Sequence, residues 1–122
     1  MTIPGAPVSK PRMTQRDRWK KRPCVLKFFA YRDLVRRLAT PELQQAEALI
    51  MEFYLPFPKS YSKKLQAVLQ GHPHRKKPDL DNLQKAVMDS LFTEDCRVYA
   101  VHARKYWDDG QGPRTIVTHW GS

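Results

Sequence analysis

A chain of 122 residues has room for one modest hydrophobic core and not two, so residues 1–122 are expected to form a single domain. Hydrophobic residues at 41% and charged ones at 28% are ordinary for a soluble globular protein. The 22 Lys and Arg against 12 Asp and Glu are not ordinary: the net charge of +10 favours a polyanionic partner, nucleic acid first and an anionic membrane surface second.

No apolar run approaches the roughly 20 residues that a membrane span needs, and the opening MTIPGAPVSKPR lacks the apolar core of a signal peptide. Cys24 and Cys96 lie far apart, outside any metal-binding spacing, and read as reduced thiols of a cytoplasmic protein. The charge is segregated. Residues 1–40 hold eleven basic residues and two acids, and residues 59–77 hold six basic residues and none. Residues 78–100 reverse the balance, with five acids (Asp79, Asp81, Asp89, Glu94, Asp95) against Lys85 and Arg97.

In chain order, Ile3 to Pro11 carries three prolines and a glycine and reads as a strand end and loop, followed by a basic loop over residues 12–23. From Cys24 to Ala39, apolar residues recur at three- and four-residue steps (Leu26, Phe28, Phe29, Tyr31, Leu34, Val35, Leu38), predicting an amphipathic helix that Pro41 limits. Ala48 to Leu55, ALIMEFYL, reads as a buried strand. Ser60 or Ser62 caps a short basic helix that Gly71 stops. HPHRKKP is then a loop, in which His72 and His74 are expected to be solvated. A second long helix starts at Asp81 or Asn82 and runs to Leu91 or Phe92, with Leu83, Ala86, Val87 and Leu91 facing the core. Val98–Trp107 and Arg114–Trp120, joined by DDGQGP, read as an antiparallel strand pair. The order gives an α+β domain, a small mixed sheet packed by two main helices.

The acidic cluster carries the chemistry. On a helix starting near Asp81, Asp81, Lys85 and Asp89 stand one above another, and Asp79 behind Pro78 can turn toward the same point. Carboxylates gathered without enough cations repel one another unless a divalent ion sits between them, and Mg²⁺ takes a few carboxylate oxygens, waters and substrate phosphates. A lysine beside such an ion suits contact with the attacked phosphate. The same spacing also reads as a capping box from Asp81 to Gln84, with Asp81–Lys85 and Lys85–Asp89 as surface ion pairs. Spacing alone leaves both readings open.

KPDLDNLQKAVMDSL followed by EDCRVYAVHARK resembles the signature of the RusA family of Holliday junction resolvases, an Asp-x-Asp-Asn-x-x-Lys core with a later Asp before a strand. IPGAPVSKPR resembles that family's opening strand and proline-rich loop, and FPKSYSKK with GHPHRKKPD resembles phage-type members. The resemblance implies a Mg²⁺-dependent endonuclease, with Mn²⁺ as a substitute ion, acting as a homodimer on four-way DNA junctions in a bacterial or phage-infected cytoplasm. By position, Asp79, Asp81 and Asp95 match the family's metal-binding catalytic carboxylates and Lys85 its essential lysine; Asp89 matches a recurrent acidic position. The link before Asp95 is shorter than in many relatives, which leaves two rivals: a junction-binding module without cleavage, and a nuclease for flaps and forks. Lys10, Arg12, Arg16, Arg18, Trp19, Lys20, Lys76 and Lys77 are the expected DNA contacts. Trp107 and Trp120 are expected in the core or at a dimer interface.

Overall fold

The computed structural model describes residues 1–11, 22–92 and 97–120. Its elements follow the order β1 (Thr2–Pro4), α1 (Pro23–Leu38), α2 (Pro41–Gln44), β2 (Ala48–Leu55), α3 (Lys63–Leu69), α4 (Leu80–Leu91), β3 (Ala100–Trp107) and β4 (Arg114–His119). The architecture is α+β, a four-stranded mixed sheet of order β1-β4-β2-β3 with helices packed on it.

Helix α1 opens on Pro23, whose missing N–H costs nothing in a first turn that has no intrahelical acceptor. Arg36 and Arg37 in its last turn complement the negative end of the helix dipole. Val25, Phe28, Tyr31 and Val35 form its buried stripe. Leu26 and Leu38, included in the predicted apolar set, are exposed, and Val25 takes the inner position. The Tyr31 hydroxyl donates to Thr115 Oγ1 at 3.3 Å, which ties α1 to β4, and burial pushes that phenol up to about 12. Helix α2 was not anticipated. Thr40 caps it by accepting the Leu43 N–H at 3.3 Å, and Pro41 supplies its first position. Ser62 caps α3 in the same manner, its Oγ accepting the Leu65 N–H at 3.1 Å.

The sheet buries one face. Leu49, Met51, Phe53 and Leu55 alternate inward along β2 and meet Leu83, Ala86, Val87 and Leu91 of α4 and the stripe of α1 in one core cluster. The opposite parity of β2 and β3 (Ile50, Glu52, Tyr54, His102, Arg104, Tyr106) is exposed or half-buried.

The expected β3–β4 hairpin does not form. Strand β2 lies between them, parallel to β3 from Ala48↔Ala100 to Leu55↔Trp107 and antiparallel to β4 from Leu49↔His119 to Tyr54↔Arg114. Residues 108–113 therefore cross the end of β2, a gap of two strand spacings or about 9.6 Å, and Asp108 N–H bonds the Leu55 carbonyl at 2.8 Å on the way. Asp108 Oδ1 accepts the N–H groups of Gly110 and Gly112, both at 3.0 Å, and these glycines take φ of 94° and 99°. A hairpin and a split pair share the same period-two alternation. The difference lies in β2, whose apolar run is satisfied only with a ladder on both edges.

The free edge of β3 is partly covered by the chain that precedes α4. Pro73 bridges Tyr106, the His74 N–H bonds the Lys105 carbonyl at 3.0 Å, and the Trp107 N–H bonds the His72 carbonyl at 2.9 Å. Trp107 is buried as expected, stacked on Phe57 at 5.0 Å and near parallel, whereas Trp120 is 40% exposed.

Phe53 is fully buried on the central strand and Leu26 is 53% exposed on α1. Phe53→Ala is expected to lower the stability to urea unfolding by about 3–5 kcal/mol, and Leu26→Ala to change it by no more than about 0.5 kcal/mol.

Candidate metal and nucleic-acid site

Helix α4 starts one residue before the earlier of the two expected starts: Asp79 is its N-cap, Leu80 its first residue, and Asp81 stands in the first turn. Asp79 makes no side-chain capping bond. Asp81 Oδ1 accepts the N–H of Asn82, at 3.0 Å, so the Asp81–Gln84 capping box, one of the two readings that the spacing allowed, is not built. Both carboxylates are exposed, and among the described residues neither is paired with a cation. The positive end of the helix dipole suits two anions here.

Lys85 lies one turn further on, exposed, and pairs with neither Asp81 nor Asp89. Asp89 is taken instead by Lys10, whose backbone N–H also bonds the Asn82 carbonyl at 3.1 Å. The Lys10 ammonium sits 5.2 Å from the Phe28 ring centroid, which leaves this side chain strapped between α1 and α4. Asp89 is two turns, about 12 Å of helix rise, from Asp81. Asp79 and Asp81 thus stand at the N-terminal end of α4 with Lys85 one turn on, while Asp89, a turn beyond Lys85, has its own counter-ion in Lys10.

The approach to Asp79 is held by β3. Lys105 Nζ donates to the carbonyl oxygens of Lys76 at 2.5 Å and Pro78 at 2.8 Å. The Lys77–Pro78 peptide between them is cis. His74 was expected in solvent and is buried instead, its ring 4.1 Å from that of Trp107 and its Nδ1 accepting the Lys76 N–H at 3.3 Å. The hydrophobic wall of Trp107 makes that burial favourable, and the loop sequence alone gives no sign of the wall. Arg75, Lys76 and Lys77 project outward, the Lys76 ammonium 5.6 Å from the Tyr61 ring centroid.

Sequence reasoning missed Lys105 and the buried role of His74. A signal for the first was present: Lys105 shares the inward parity of Val101, Ala103 and Trp107, where a charge calls for a partner. Arg12, Arg16, Arg18, Trp19 and Lys20 lie outside the described residues, as do Glu94, Asp95 and Cys96. Among the described residues no three His, Cys, Asp or Glu side chains cluster as metal ligands. The pair that is described, two carboxylates without a counter-ion, is the hard-oxygen donor type that Mg²⁺ or Mn²⁺ takes alongside water and phosphate. A separate groove of about 600 Å³, lined by Glu42, Glu47, Arg97, Tyr99 and Trp120, lies at the opposite end of β2 and β3. It shares no residue with the acidic pair.

Burial, and then the positive charge of Lys105, hold the His74 imidazole below its ordinary value of 6.5. The folded state prefers the neutral ring, so this contribution to stability is fully present above that value and is lost as pH falls through the lowered one. The urea midpoint is expected to stay level between about pH 7 and 8 and to decline below about pH 6.5. In His74→Gln that decline is expected to be flattened.

The family model described as Endodeoxyribonuclease RusA matches residues 4–118 of the chain, a span that runs from the last residue of β1 to the next-to-last residue of β4 and includes the acidic pair. No curated relative matches it in sequence.

Proposed function

Because the chain belongs to the RusA endodeoxyribonuclease family, whose members cut DNA at branched junctions, we propose that it resolves four-way (Holliday) junctions by paired nicks, with a divalent ion held by Asp79 and Asp81. The observation that carries this reading is the pair itself: two exposed carboxylates that no cation among the described residues pairs with, in a chain of net charge +10. So strong an excess of positive charge makes it easy to neutralise an acid, as Lys10 does for Asp89. Leaving Asp79 and Asp81 unpaired suits a site that takes its positive charge from an ion.

In this mechanism Asp79 and Asp81 hold Mg²⁺, with Mn²⁺ as a substitute, and Asp95 is the third carboxylate by its position in the family motif. The ion, when bound, supplies a polarised water and offsets charge developing on the attacked phosphodiester. Lys85 has no carboxylate partner among the described residues, so its ammonium is available to the non-bridging oxygens of that phosphate, where charge grows in the transition state. Lys76 and Lys77, beside Arg75, hold the flanking backbone, and their contacts make binding sensitive to salt. Arg12, Arg16, Arg18, Trp19 and Lys20 complete the DNA path in this reading, while Lys10 contributes by fixing the N-terminal segment to α4.

Two opposed cuts in a two-fold substrate need two related sites, which a homodimer supplies. Among the described residues no helix is long and apolar enough to cross a membrane, and we place the protein with its DNA in the cytoplasm, in recombination and repair.

The test is nicking of a labelled four-way junction in Mg²⁺ by the wild type, Asp81→Asn and Lys85→Ala. Both variants are expected to lose roughly 10²–10³ in rate; measured without metal, Asp81→Asn is expected to keep its affinity for the junction and Lys85→Ala to bind it somewhat more weakly. Nicking by Asp81→Asn at the wild-type rate would remove the carboxylate pair from the mechanism.

A further inference from the structure

On the reading that Asp79 and Asp81 hold the ion, the geometry points to Lys105 as the positioning residue for that pair. The segment from Arg75 to Asp79 has no helix or strand of its own, so a few bonds set its path. Its start is fixed by the His74 N–H on the Lys105 carbonyl and by the Lys76 N–H on His74 Nδ1. Its end is fixed by the helix itself, through the Leu83 N–H on the Asp79 carbonyl at 3.2 Å. Between these ends, the carbonyls of Lys76 and Pro78 are both taken by the one Lys105 ammonium.

Pro78 is the residue immediately before Asp79, so its carbonyl belongs to the peptide that carries the Asp79 nitrogen. A donor fixed on that carbonyl orients the plane from which the Asp79 side chain departs. The donor is borne by β3, whose eight-residue ladder with β2 gives it a rigid base. Position on the core-facing parity would be filled at lower desolvation cost by an aliphatic residue. Lys105 instead lays its methylene stem along that face and delivers its charge to the two carbonyls at the rim. Its part is indirect: it sets the site's geometry through backbone and has no need to touch DNA or ion.

The test reads metal binding by the DNA-free protein, followed through the Mn²⁺ paramagnetic resonance signal. Lys105→Met keeps the stem and removes the donors, and is expected to weaken Mn²⁺ binding about tenfold, the scale on which groups that orient metal ligands act. Lys105→Arg keeps a charged donor and is expected to recover part of that loss. Since Lys105→Met loses two hydrogen bonds, its unfolding temperature is followed alongside, and Lys105→Arg serves as the folded comparison. Wild-type Mn²⁺ affinity in folded Lys105→Met, or equal losses in Met and Arg variants, would overturn the positioning role. Wild-type protein that binds Mn²⁺ no better than the Asp79→Asn/Asp81→Asn variant would overturn the metal site itself, and Lys105's role with it.

Discussion

Two parallel strands cannot be joined by a tight turn, and the pairing of β2 with β3 constrains the rest of this structure. The chain leaves β2 at Leu55 and must return to the far end of β3, and α3, the 72–78 segment and α4 make that return. The return stroke is α4, which packs its Leu83, Ala86, Val87 and Leu91 face into the core. Its N-terminus is thereby joined to the rim where Lys105 and Trp107 end β3. In open sheets the rim at the carboxyl ends of parallel strands is where ligands commonly bind. The placement of Asp79 and Asp81 follows from topology before any chemistry is considered.

Electrostatics then divides the acids of α4 into two kinds. Asp89, facing the N-terminal segment, is neutralised by Lys10 and serves to hold that segment in place. Asp79 and Asp81 gain only the favourable field of the helix N-terminus, a modest effect of about 0.3–1 kcal/mol at exposed positions. The dipole tolerates the two anions and does not cancel them. An approaching backbone phosphate would meet net repulsion from this pair unless a cation intervened, and attraction from Lys76, Lys77 and Lys85 around it. In the proposed mechanism affinity and reaction fall to different groups, with the basic loop binding the polyanion and the acidic pair acting at one phosphate.

Much of the fold was legible because its signals are periodic. The three- and four-residue steps marked α1 and the inner face of α4, the alternating apolar run marked β2, and Ser62 marked the start of α3. What was not legible depended on contacts between distant segments. Alternation in AVHARKYW and RTIVTH is the same whether the strands pair directly or with β2 between them, so the strand order was hidden. His74 looked like any polar loop residue until Trp107, 33 positions away, gave it a wall. At the site, the grouping of Asp79, Asp81 and Lys85 at one helix end was readable from the DLDNLQK run. That Asp89 would not pair with Lys85 was not, because it depends on Lys10 reaching Asp89 from 79 positions away.

What the wild-type protein does to DNA in the presence of a metal decides whether the acidic pair is the reaction centre. The measurement is cleavage of a labelled four-way junction, a 5′-flap and a linear duplex of matched sequence, each in Mg²⁺ and in EDTA, with products mapped on every strand. Symmetrically paired nicks in the junction, absent from the duplex and abolished by EDTA, are the predicted result. Tight binding to the junction with no cuts in Mg²⁺ or Mn²⁺ would contradict it, and flap cleavage at the junction's rate would contradict its specificity.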